Sequence, residues 1–63
     1  QMSDVGALES AVDETIAENP QAAEDYKKGK EASLKFLIGM VMRRSKGRAN
    51  PQMVEEILNK KLK

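Results

Sequence analysis

The densest chemistry in this chain is cationic. Arg43-Arg44-Ser45-Lys46-Gly47-Arg48 packs four cations into six residues. Guanidinium and ammonium groups at that density meet phosphate oxygens through charge-assisted hydrogen bonds, which makes the segment a candidate phosphate-binding corner. The competing explanation is electrostatic capping of a helix C-terminus together with ordinary solubility. Capping accounts well for Arg43 and Arg44, and less well for Lys46 and Arg48, which fall past the expected helix end. Lys27, Lys28, Lys30 and Lys35 extend the basic surface, while Lys60, Lys61 and Lys63 are expected to form a frayed cationic tail.

Little other chemistry is available. The chain has no cysteine and no histidine, which removes disulfides, thiolate or imidazole metal sites, Cys–His and Ser–His–Asp catalysis and a histidine general base. Glycine-rich phosphate loops and nucleophile elbows are missing as well. Asp13/Glu14 and Glu24/Asp25 are carboxylate pairs in sequence only. Adjacent residues on a helix point in different directions, and nothing apolar encloses these, so they read as a solvated acidic face. No catalytic residue, bound metal or cofactor is therefore expected in the chain. The methionines read as core filler in preference to a soft partner groove. Tyr26 and Phe36 are the only rings, and Phe36 is expected to lie inside. Any nucleic-acid contact would then rest on shape and backbone charge, which suits a folded RNA better than a sequence-read single strand.

The elements that must position these residues are helical. Four segments carry a helical apolar period and none of useful length alternates with period two, so the expected fold is all-α, a small monomeric bundle of three main helices plus one short helix after Asn19-Pro20. In the first segment Leu8, Val12 and Ile16 recur every four residues, with Ser3 or Asp4 available as a cap. Asn19 and Pro20 close that helix and open the next, the asparagine as N-cap and the proline at the first helical position. The second helix is short, with Ala22, Ala23 and Tyr26 as its apolar face, and Gly29 is expected to break the chain. From about Lys30 to Ser45, Leu34, Phe36, Leu37, Ile38, Met40, Val41 and Met42 cover nearly the whole circumference, which predicts a central, buried helix where Gly39 lets a partner backbone approach. Gly47 is the expected stop. Asn50-Pro51 launches a last helix with Met53, Val54, Ile57, Leu58 and Leu62 inward. The expected core is Leu34, Leu37, Ile38, Val41, Ile57 and Leu58.

Sixty-three residues form one domain with one core, whose stability margin at this size is about 3–5 kcal/mol. Residues 1–63 should form a single helical tail domain, a fragment of a larger subunit, with residues 1–7 a flexible or added start, Gln1 ahead of Met2 reading as a fragment boundary. The net charge of +1 conceals an asymmetry: residues 1–25 carry seven acids and no base, and residues 26–63 carry eleven bases and three acids. Such segregation points either to an acidic or nucleic-acid partner or to helices that attract one another, and composition does not choose between them. No apolar run reaches the length of a membrane span and no signal peptide is legible, so a cytoplasmic location with no membrane contact is expected.

Taken in order, Glu18-Asn19-Pro20, Asp25-Tyr26-Lys27-Lys28-Gly29-Lys30, Phe36-Leu37-Ile38-Gly39-Met40-Val41-Met42-Arg43, Lys46-Gly47-Arg48-Ala49-Asn50-Pro51 and Val54 through Leu58 resemble the GatB/YqeY domain, the C-terminal tail of the GatB subunit of the aspartyl/glutamyl-tRNA amidotransferase. The likeness covers residues 8–62, and the ordered series is far more specific than any one block. It implies a helical tail on a larger subunit of a heterotrimeric enzyme that uses ATP, Mg and glutamine to amidate Glu or Asp misattached to tRNA. By the same resemblance the tail itself is non-catalytic and holds tRNA near its elbow and D-loop. The partners implied are tRNA, the remainder of the GatB subunit, and the other two subunits, A and C, of the amidotransferase. Carried onto this sequence, the family's helix-and-turn block falls on Lys30, Gly39, Arg43, Lys46, Gly47 and Arg48. The cations are assigned to RNA and the glycines to backbone geometry, and Arg44 joins the patch by position and charge alone. The alternative is a protein-interaction or structural module, since the same domain occurs in stand-alone proteins.

Overall fold

The every-fourth-residue spacing of Leu8, Val12 and Ile16 does draw a helix, and it begins at Val5, within the residues 1–7 expected as a flexible start. In the computed structural model, which describes residues 5–62, α1 runs Val5–Glu18. Ser3 and Asp4, its expected caps, lie outside the described residues, as does Lys63. After α1 come α2 (Pro20–Lys27), α3 (Glu31–Arg44) and α4 (Pro51–Leu62), with no strand among the described residues. No helix among them is long and apolar enough to cross a membrane.

The two Asn-Pro pairs do different work. Asn50 Oδ1 accepts the Gln52 backbone N–H at 2.9 Å, an N-cap for α4 ahead of Pro51 at the first helical position. Asn19 makes no such cap for α2. Its Nδ2 turns back and donates to the Thr15 carbonyl at 2.9 Å, so the side chain satisfies the end of α1, while Pro20 alone presets α2. Gly29 breaks the chain as expected. Its φ of 100° takes the left-handed position of a Schellman turn. There Gly29 N–H reaches the Tyr26 carbonyl (2.9 Å) and Lys30 N–H reaches that of Asp25 (3.0 Å).

Packing centres on α3, which lies against all three other helices. Leu34, Leu37 and Val41 face inward from it to meet Leu8 and Val12 of α1, Tyr26 of α2, and Val54, Ile57 and Leu58 of α4. Tyr26 is 1% exposed, and its hydroxyl donates to Asn59 Oδ1, joining α2 to α4. Buried Thr15 satisfies its own hydroxyl on the Ala11 carbonyl at 2.8 Å.

Two expectations about α3 fail for one reason. It is not buried all round: Phe36 is 50% exposed, and Ile38, Met40 and Met42 are only partly covered. Nor does any partner backbone approach Gly39, since a Cβ built there would meet nothing within 4 Å. Among the described residues three helices pack against one side of α3 and none lies on the other.

Leu37→Ala should lower stability by about 2–5 kcal/mol, enough to leave the domain largely unfolded, whereas Phe36→Ala should cost less than about 1 kcal/mol; urea titration followed by circular dichroism reads both. Burial, followed by the nearby charges of Glu31 and Glu55, raises the Tyr26 phenol above its ordinary 10.0. The unfolded chain therefore loses this proton first. Stability tied to the phenol is intact below pH 10 and declines as pH climbs through the higher folded value. Tyrosinate absorbance, which reports this one tyrosine, should titrate above 10 in the folded protein, and Tyr26→Phe should remove that part of the alkaline decline.

Candidate nucleic-acid interface

The cationic segment splits at the end of α3. Arg43 and Arg44 occupy its last turn, and Ser45–Asn50 forms the corner into α4. That corner is tied down on both sides. The Ser45 hydroxyl donates to the Met42 carbonyl (3.1 Å) and accepts the Ala49 N–H (3.2 Å). Ala49 is 3% exposed and sits in the core cluster. Lys46 and Arg48 thus project from a short, braced turn, which lowers the entropy lost when a ligand fixes them.

Lys46 has an unusual backbone. The Schellman turn that ends α3 places Lys46 N–H on the Arg43 carbonyl (3.1 Å) and Gly47 N–H on that of Met42 (2.8 Å). The first residue past the helix cap is therefore Lys46, left-handed with φ 57°, and Gly47 follows it, also left-handed with φ 77°. This revises the expectation that Gly47 is the stop residue. At the matching turn of α2 the chain uses Gly29. A lysine in this conformation costs about 1–2 kcal/mol, and strain of this kind collects at functional positions.

Adjacent arginines have separate fates. Arg44 donates to Glu14 Oε1 at 3.1 Å and to Glu18 Oε1, clipping α3 to α1. The hydrogen bond to Glu18, with the charges of both carboxylates, raises the guanidinium further above its ordinary range. Lys61 pairs with Asp13 at 3.0 Å. Part of the charge segregation is thus internal attraction between the acidic and basic halves. Among the described residues no carboxylate pairs with Arg43, Lys46 or Arg48, and all three are exposed. Lys30, also exposed, sits at the opposite end of α3, about 21 Å away along a 14-residue helix. The structure therefore leaves Arg43, Lys46 and Arg48 exposed and free of carboxylate pairing among the described residues, gives Arg44 to carboxylates and sets Lys30 apart.

Sequence reasoning missed the outward Phe36. Its signal was in the spacing: Leu34, Leu37 and Val41 fix the inner side of α3, and Ala32, Phe36, Gly39 and Arg43 recur on the outer one. Among the described residues no three acidic side chains gather.

Lys46→Gly should raise unfolding stability by up to about 1 kcal/mol, because glycine occupies the left-handed position without steric cost. The urea midpoint of the variant measures it, and an unchanged or lower midpoint contradicts the strain assigned to Lys46.

Comparison with known proteins gives a consistent result. The family model described as the GatB domain matches residues 1–62. The GatB subunit of the aspartyl/glutamyl-tRNA(Asn/Gln) amidotransferase from Carboxydothermus hydrogenoformans is 53% identical over 98% of this chain. The corresponding subunit from Chromobacterium violaceum is 55% identical over 98%, and that from Halorhodospira halophila 53% over 98%. The chain spans 13% of the length of each of these relatives. No solved structure matches it. On the family model and these identities, the chain belongs to the GatB domain family.

Proposed function

We propose that the chain is a non-catalytic, tRNA-binding tail domain of a cytoplasmic tRNA-dependent amidotransferase, the enzyme type that converts Glu-tRNA(Gln) or Asp-tRNA(Asn) to the amidated product. Arg43, Lys46 and Arg48 take phosphates of the folded tRNA, in the region of its elbow and D-loop. Arg44 holds the corner's supporting helix in place, and Lys30 reaches the RNA only at a separate point. The rest of the GatB subunit, with the other two subunits of the heterotrimer, supplies ATP, Mg and the catalytic groups. The observation that carries this reading is the strained Lys46 on a braced turn beside two unpaired arginines. Phosphate oxygens answer such an arrangement, and they would offset the conformational cost at Lys46.

Three neutralised phosphates give a slope of log K against log salt of roughly −2.1 to −2.7. One small module should bind with an affinity near ~10⁻⁴–10⁻⁶ M. Fluorescence anisotropy of labelled tRNA should show these values for the wild type. Arg43→Ala and Lys46→Ala should each remove about one contact's share of the slope, with Lys60→Ala unchanged. Absence of tRNA binding, or an equal loss on Lys60→Ala, contradicts the reading; in the first case a protein-interaction module replaces it.

A further inference from the structure

Two helices of the bundle begin without a side-chain cap. Asn19 and Lys30 hold the N-cap positions of α2 and α3, and neither side chain bonds back to the helix it precedes. The backbone N–H groups of Gln21, Ala22, Glu31 and Ala32 are therefore without a hydrogen-bond partner among the described residues. Both open ends face the same groove, of about 560 Å³, whose lining includes Asn19, Gln21, Ala22, Ala32, Ser33 and the half-exposed Phe36.

Ser33 is the independent sign of a ligand there. It is 8% exposed, and its hydroxyl makes no hydrogen bond among the described residues. No buried side-chain oxygen among them is cut off from both a partner and solvent, so the Ser33 Oγ opens on the groove it lines. Within the chain that hydroxyl contributes nothing that alanine would lack.

Charge selects the occupant. Glu18 and Asp25 also line the groove, and although Glu18 pairs with Arg44 and Asp25 Oδ1 accepts Gln21 Nε2 at 3.1 Å, each carboxylate keeps lone pairs to spare. Their field repels a polyanion and draws a cation. The open N–H groups and the Ser33 hydroxyl call for acceptors that carry no concentrated negative charge. Asn19 and Gln21 spend their amide nitrogens on Thr15 and Asp25, which leaves both amide oxygens to accept N–H groups. A polypeptide answers every one of these demands, with carbonyls for the donors, N–H groups for the amide oxygens, a basic side chain for the carboxylates and an aliphatic one for the ring.

We propose that the groove between the starts of α2 and α3 docks an extended segment of a partner protein, its Lys or Arg against Glu18 and Asp25 and a neighbouring aliphatic residue on Phe36. The inference goes beyond the tRNA reading and does not depend on it. The groove lies at the start of α3 and the basic corner follows its end, so the two surfaces are separate.

A random-peptide phage library panned on the full chain supplies the probe, because the sequences it enriches are read directly. They should share Lys or Arg next to Leu, Ile or Val. Made as blocked synthetic peptides and titrated into the isotope-labelled chain, they should shift the Gln21, Ala22, Ala32 and Ser33 amides. Affinity should fall roughly two- to fivefold in Asp25→Asn and in Phe36→Ala, and roughly two- to tenfold in Ser33→Ala. All three variants should keep a folded circular dichroism spectrum and wild-type affinity for tRNA. Enrichment of no common sequence, enrichment of acidic peptides, or equal binding to wild type and all three variants would overturn the site. So would a loss of tRNA affinity in these variants that matches the loss of peptide, which would give the groove to RNA. If the wild type binds the peptides and no tRNA, the functional reading fails and this site stands.

Discussion

Among the described residues α1, α2 and α4 all pack against one side of α3. Its inner side takes up Leu37 and Val41 so fully that neither retains any exposed surface, and these residues hold α1, α2 and α4 in place. Among the described residues no helix lies on the other side of α3, where Phe36 and Gly39 are exposed. A larger domain would cover that side and gain stability from doing so. Here it carries Phe36, Gly39 and Arg43 and runs directly into the basic corner.

Helix ends set the second constraint. Two Schellman turns close α2 and α3 with the same pair of backbone hydrogen bonds, yet one uses glycine and the other lysine at the left-handed position. Turn geometry does not distinguish them, since glycine would serve at both positions; the lysine adds a cation to a corner that carries Arg48 two residues on. Bracing by the Ser45 hydroxyl and by buried Ala49 keeps the strained turn in one conformation. The Arg44 ion pairs with Glu14 and Glu18 anchor the same end of α3 to α1, so the corner rests on both of its neighbours.

Local physics made much of this legible in the sequence. Proline at Pro20 and Pro51, glycine at Gly29 and the apolar periods between them specify four helices and their order, and Leu34, Leu37, Val41, Ile57 and Leu58 announce the core through spacing alone. What stayed hidden depends on contacts between distant segments. Ile38 is less covered than its apolar character suggests because burial depends on how many helices stand opposite. Phe36 has the composition of a core residue and the angular position of a surface one, and composition misleads there. Asn19 offers one side chain to two helices, and nothing local decides which it serves. Arg43 and Arg44 look equivalent in sequence; a 100° step around the helix and two carboxylates about one turn apart on α1 separate them.

On the proposed reading the cations at the end of α3 are divided, Arg44 serving the fold and Arg43, Lys46 and Arg48 serving phosphate. An amide and guanidinium NMR titration of the isotope-labelled chain with unlabelled tRNA tests that division, since every residue reports at once. Shift changes should concentrate on Arg43, Lys46 and Arg48, with the Arg44 guanidinium signals and the acidic face of α1 unmoved. Changes spread evenly over Lys27, Lys28, Lys60 and Lys61, or release of Arg44 from Glu14 and Glu18 as RNA is added, would contradict it.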